Sequence, residues 1–147
     1  MDIYLDACAL NRLTDDQRQS RIRMEAEAVE EVFRLIWKEE ARWVASIALA
    51  AEIRRNPSIE KRRDALALLS LAGELLQPNP NSIQRAEMLE SLGYDAFDAL
   101  HLACAEQAKA SVLLTTDDRL IRKAMRLLGN PAIQVLNPVN WLREARK

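Results

Sequence analysis

The strongest constraint on this chain is a set of short, unbroken apolar runs set between longer stretches of helical period. Ser111-Val112-Leu113-Leu114-Thr115 is the clearest run, and Ile3-Tyr4-Leu5, Trp43-Val44-Ala45 and Ala132–Leu136 are of the same kind. Runs this brief and this continuously apolar suit strands buried on both faces, as in a parallel sheet. The intervening stretches repeat differently. From Ile22 to Glu39, Ala26, Val29, Val32, Phe33, Ile36 and Trp37 share one helical face, with Arg and Glu on the other. Ser46 is placed to cap a helix from Ile47 to Arg55, which Asn56-Pro57 stops. Ser58 opens a helix to about Leu76, with Leu66, Leu69 and Leu76 inward, before the breaker Pro78-Asn79-Pro80-Asn81. Further helices are expected over Ser82–Leu92, closed by Gly93, over Asp95–Ala108, over Asp118–Leu128, closed by Gly129, and over Val139–Lys147. Strands alternating with helices specify an α/β fold, a three-layer α/β/α arrangement around a short, mostly parallel sheet of about four to five strands.

Length and charge narrow the function. At 147 residues, with no internal repeat, low-complexity tract or linker, the chain is expected to form one domain over residues 1–147. A net charge of −1 gives no global attraction to nucleic acid, so any such contact must rest on a local basic patch. Three glycines cannot build a Gly-rich phosphate loop or a dinucleotide site. Cys8 and Cys104 stand far apart in apolar settings and read as small buried hydrophobes rather than as a disulfide or metal pair. The N-terminus lacks the pattern of a signal peptide, and no apolar run approaches the roughly 20 residues of a membrane span. The expected compartment is the reducing cytoplasm.

In open α/β sheets, ligands bind beyond the carboxyl ends of the strands. Asp6 directly follows the first strand, and Asp117 and Asp118 follow the third after Thr115-Thr116. Two strands thus deliver carboxylates to one edge. Glu52 and Asp98 stand in otherwise apolar helical runs, where a charge is costly unless paired or metal-bound. Crowded carboxylates repel one another, and a divalent cation removes that repulsion. Oxygen-only donors favour Mg²⁺ or Mn²⁺, which can activate water and stabilise charge on a phosphoryl oxygen. Each acid also has an ordinary explanation. Asp6 could end a strand, and Glu52 could pair with Arg54 or Arg55. Asp98, like Asp95, could be a first-turn acid favoured by the helix dipole. Asp117-Asp118 could be a turn and cap. The joint pattern is what points to a site. His101, the single histidine, falls three residues after Asp98 and reads as a hydrogen-bonded structural group. One histidine without a Ser-His-Asp order argues against ester hydrolysis by a nucleophilic serine.

Four segments, taken together, resemble the PIN-domain family: Ile3-Tyr4-Leu5-Asp6, Ser46 with Glu52, Asp98-Ala99-Leu100-His101-Leu102-Ala103, and Leu113-Leu114-Thr115-Thr116-Asp117-Asp118. The resemblance spans essentially the whole chain, and its third and fourth segments are the most specific. It implies a compact α/β/α ribonuclease directed at single strands. In bacteria and archaea, many such proteins are the toxin half of a toxin–antitoxin pair of the VapC kind. By the same resemblance, Asp6, Glu52, Asp98 and Asp117 would be the catalytic, metal-holding acids, with Thr115 a hydroxyl beside them. Asp118 is either a fifth metal ligand or the true fourth acid. The family commonly follows its first Asp with a small hydroxyl or amide residue, whereas Ala7 and Cys8 stand here. Asn11, and Ser46 from the second segment, are the candidate supporting polar groups.

Arg54, Arg55, Arg119 and Arg122 flank the acidic edge in sequence and are candidate RNA contacts, since guanidinium grips phosphate with two donors. Lys61-Arg62-Arg63 reads as a solvated helix face. Trp37, Trp43 and Trp141 read as core or interface. An antitoxin partner and a homodimer are expected from the family. Two alternatives stand beside the nuclease. One is a catalytically inactive PIN-like module that binds protein or RNA. The other is a phosphotransfer enzyme with a strand-end Asp nucleophile, which would favour a second Asp at the position Cys8 holds.

Overall fold

Strand β1 (Asp2–Leu5) lies at the centre of the sheet, between β2 (Arg42–Val44) and β3 (Val112–Leu114), with β4 (Gln134–Leu136) outside β3. All three pairings are parallel. The order β2-β1-β3-β4 places the C-terminal ends of β1 and β3 side by side, with Leu5 opposite Leu114. The computed structural model describes residues 1–126 and 128–145.

Side chains alternate across the sheet and divide its packing into two cores. Ile3, Leu5, Val112 and Leu114 face one side. There they meet Leu10 of α1 (Ala7–Asn11), Val29 of α2 (Ser20–Trp37), Leu49 of α3 (Ile47–Arg54), Leu69 of α4 (Ile59–Leu69) and Leu142 of α8 (Pro138–Ala145). Tyr4, Leu113 and Val135 face the other side, against Leu89 of α5 (Pro80–Ser91), Leu102 of α6 (Ala96–Gln107) and Leu120 of α7 (Asp118–Met125). This is the three-layer α/β/α fold, with four parallel strands. Burial on both faces explains why the strands read as continuous apolar runs rather than alternating ones.

Several expectations change. The helix opened by Ser58 ends at Leu69, then tightens into a 3₁₀ turn over Ser70–Ala72, and the chain turns at Gly73 with φ of 72°. Leu76 is therefore not helical. Its N–H donates to the Ala45 carbonyl at 2.9 Å, and its carbonyl accepts from Ile47 N at 3.0 Å, lengthening the sheet edge beyond β2. Helix α1 was not anticipated, because five residues are too few to display a period. It turns Ala7, Ala9 and Leu10 inward and Cys8 outward, so Cys8 is exposed, and only Cys104 is buried as expected. Trp43 and Trp141 are core, but Trp37, the last residue of α2, is 78% exposed. Helix α7 ends at Met125, short of the expected Leu128, and residue 127 of that span lies outside the described residues. The last two residues of the expected Val139–Lys147 helix lie outside them as well. No helix among the described residues is long and apolar enough to cross a membrane.

Candidate active site at the carboxyl edge of the sheet

Where β1 ends, Asp6 becomes the N-cap of α1, its Oδ1 accepting the Ala9 N–H at 3.0 Å. A carboxylate suits that end of a helix. Yet Asp6 is only 2% exposed, and no Lys or Arg among the described residues pairs with it. Burial pushes its carboxyl up to about 6, and Glu52 adds to the rise, while His101 and hydrogen bonds from Thr115 and Ala9 oppose it. Asp98, half-buried in the first turn of α6, is pushed up to about 7. Burial is again the main cause, followed by the charges of Asp6 and Asp117. These carboxylates therefore feel one another directly.

Beyond β3, the fully buried Thr115 joins two of the acids. Its hydroxyl bonds the Asp6 carboxylate and accepts the Asp117 N–H at 3.1 Å. Asp117 caps α7 by accepting the Arg119 N–H at 2.9 Å. Its neighbour Asp118 turns outward. Both of its oxygens are held at 2.8 Å by Arg21, a grip that keeps the carboxyl below its ordinary range. Glu52 reaches the edge from α3, with Oε1 3.0 Å from His101 Nε2. Cys8 sits among the acids. Desolvation, then the charges of Asp6, Glu52, Asp117 and Asp98, push its thiol up.

The remaining candidates fall in different places. Ser46 is buried and caps α3 through the Leu49 N–H at 3.2 Å, making no bond to an acid. Asn11 ends α1, where its carbonyl accepts from Thr14 and Asp15, and its side chain does not reach the acids by a hydrogen bond. Arg54 is exposed, and the Arg55 guanidinium lies over the Phe97 ring, 5.2 Å from its centroid. Arg119 and Arg122 join Arg12, Arg21, Thr116 and Asp117 in lining a cleft of about 460 Å³ beside the acidic edge. The contributions of Arg12 and Arg21 escaped sequence reasoning, because both come from the stretch around α1 and the start of α2, far from the motifs. Lys61, read as solvated, pairs with Asp15 at 3.0 Å, while Arg63 is exposed.

The donors suit a hard divalent cation: all are carboxylate oxygens, and the charges of Asp6 and Asp117 that raise Asp98 are a repulsion an added positive charge would relieve. The fit lies in that chemistry. Among the described residues, no three His, Cys, Asp or Glu side chains are grouped closely enough to hold an ion as placed.

No protein with a curated description matches the chain. Among solved structures, the chain is similar to VapBC2 from Rickettsia felis, bound to a DNA fragment from its promoter, with a TM-score of 0.59. That match has 15% identity and covers 93% of this chain and 98% of that one, a likeness of fold. The PIN domain family model matches residues 3–125. With that span taking in β1 through α7 and all of the acids above, the chain belongs to the PIN-domain family.

Proposed function

We propose that this protein is a metal-dependent endoribonuclease that hydrolyses phosphodiester bonds of single-stranded RNA. The observation that carries the proposal is the gathering of Asp6, Asp98 and Asp117 at one edge of the sheet, where Asp6 is buried, Asp98 feels the charges of the other two, and no Lys or Arg among the described residues pairs with any of them. Asp6, Glu52, Asp98 and Asp117 would hold Mg²⁺ or Mn²⁺. When bound, the ion supplies an activated water and neutralises charge on a phosphoryl oxygen. Thr115 fixes Asp6 relative to Asp117, so that two strand ends present their carboxylates in register. Asp98, pushed up by burial and then by the charges of Asp6 and Asp117, would hold the ion as a carboxylate. Arg119 and Arg122 line the adjoining cleft and are suited to an RNA phosphate, whereas Arg21 is committed to Asp118. Arg54 and Arg55 would meet RNA on the Glu52 side. Asp118, held outward, would join the ligands only after release from Arg21.

The test is cleavage of a single-stranded RNA with Mg²⁺ or Mn²⁺. Cleavage should vanish with EDTA, and in Asp6→Asn and Asp98→Asn proteins of unchanged circular dichroism. Activity that survives chelation or both substitutions overturns the proposal. A binding module without activity is the second reading, and it is favoured by the lack of three closely grouped donors among the described residues. The same assay separates the two.

We further propose that the protein acts in the cytoplasm as the toxin of a toxin–antitoxin pair and forms a homodimer. Family membership and the fold likeness to VapBC2 support this. A short adjacent reading frame encoding a DNA-binding protein that suppresses cleavage is the expected finding. Sedimentation of the purified chain reads the dimer. Trp141 is core, so Trp37 is the exposed tryptophan available to an interface.

A further inference from the structure

Behind Glu52 runs a buried chain of hydrogen bonds that the proposed chemistry does not use. Tyr4 Oη lies 2.6 Å from Ser46 Oγ and 2.7 Å from His101 Nδ1, and His101 Nε2 lies 3.0 Å from Glu52 Oε1. Tyr4, Ser46 and His101 are all completely buried. The chain joins β1, the N-cap of α3 and α6 to one carboxylate. With Ser46 donating to Tyr4 Oη, Tyr4 turns its own proton to His101 Nδ1, and the ring N–H at Nε2 donates to Glu52. The Ser46 oxygen itself accepts the Leu49 N–H at 3.2 Å. Every buried polar atom in the chain is thereby satisfied in one direction. Phe97, stacked on the imidazole with centroids 6.3 Å apart, covers the ring.

We infer that Tyr4 and His101 are positioning residues: a one-way relay, Ser46 to Tyr4 to His101, that fixes the Glu52 carboxylate in the orientation the acidic edge requires. The catalytic meaning of the relay rests on the nuclease reading, and its geometry does not. Residues that orient a ligating group through its far side commonly set metal affinity by about 10–100-fold.

Two measurements test this, and they fail separately. The chain has one histidine, so a long-range ¹H–¹⁵N spectrum of the untagged protein reports that ring alone. A proton on Nε2 and a bare Nδ1 are expected, with the Nδ1 resonance moving in Tyr4→Phe. A proton on Nδ1, or no response to Tyr4→Phe, overturns the relay. Calorimetry with Mn²⁺ then compares wild type, His101→Gln, and the paired substitution Tyr4→Phe with His101→Leu, which removes both partners and leaves no orphaned tyrosine hydroxyl. The paired variant should bind Mn²⁺ about 10–100-fold more weakly. His101→Gln, whose amide can still donate to Glu52, should recover most of the loss. Equal affinity in all three overturns the inference. Should the paired variant fail to fold, Tyr4→Phe alone must still weaken Mn²⁺ binding, and unchanged affinity there overturns it equally. Wild-type protein that neither binds Mn²⁺ nor cleaves RNA sinks the nuclease reading instead, and the ring spectrum decides the relay by itself.

Discussion

Two groups of buried acid in this protein meet opposite fates. Glu25, in α2, is only 2% exposed. It accepts from Arg12 Nε at 2.8 Å and from Arg21 Nε at 3.3 Å, and it bonds the Asn137 amide as well. Arg12 continues to Asp15 and Lys61, and Arg21 to Asp118, so the network closes on charges from the chain itself. At the carboxyl edge, by contrast, Asp6, Asp98 and Asp117 have helix termini, hydroxyls and one another, with no Lys or Arg in an ion pair among the described residues. A buried acid with its own counter-ions is a fastener. A buried acid beside other acids stores repulsion that a cation from outside can release. Sequence alone hardly separates them: Glu25 sits in a helix between apolar neighbours much as Glu52 does.

The contrast can be broken experimentally. The largest effect should come from Asp6→Asn or Asp98→Asn, each the loss of a proposed metal ligand, which should bring cleavage down to the level left by EDTA. Their melting temperatures in metal-free buffer should hold or rise, since each substitution removes a repelled charge. A fall in both would place these acids with Glu25. The reverse should hold for Glu25→Ala. It removes the buried acceptor that Arg12, Arg21 and Asn137 share, and should cost about 2–4 kcal/mol by urea titration, somewhat less than breaking an isolated buried pair because Arg12 keeps Asp15 and Arg21 keeps Asp118.

The pH dependence of stability sharpens the same distinction. An acid whose folded pKa is raised keeps its proton longer in the folded state than in the unfolded one. The folded state therefore loses stability as pH rises between the two values. For Asp6 and Asp98 that window runs from the ordinary 3.8 to about 6 and about 7. The rise of Asp6 from 3.8 to about 6 corresponds to roughly 3 kcal/mol. Metal-free protein should lose stability from about pH 4 to about pH 7 on this account. Mn²⁺ should restore it at the upper end, and Asp6→Asn should flatten the profile. A profile that is the same with and without Mn²⁺ would count against the cluster as a cation site. The smallest effect should be that of Arg21→Ala. Its pair with Asp118 is half-exposed on both sides, so the loss from that contact should stay below about 1 kcal/mol. A larger loss would mean that Arg21 acts mainly through Glu25.

Much of the architecture was legible because buried parallel strands leave a direct trace. The apolar runs at Ile3-Tyr4-Leu5 and Val112-Leu113-Leu114 have no other economical reading, and helices α3, α4, α5 and α7 open on capping side chains, Ser46, Ser58, Asn79 and Asp117. The missed elements share a cause. Helix α1 and the bridge at Leu76 are local structure too short for any period, decided by a capping aspartate in one case and a neighbouring strand edge in the other. Cys8 was misjudged because its exposure depends on the turn α1 makes.

At the candidate site the division is similar. The order of acids along the chain, and their attachment to strand ends and apolar helices, are written in the sequence, because residue type and local period suffice to state them. Which of two adjacent aspartates faces the cluster depends on Arg21, 97 positions from Asp118 along the chain. That Tyr4 reaches His101, also 97 positions away, depends on the pleat of β1 turning Tyr4 toward α6. Sequence determined the candidate acids and the edge they share. Only the tertiary structure chose their partners, because a hydrogen bond or ion pair is a matter of a few ångströms in space, and chain separation carries no information about it.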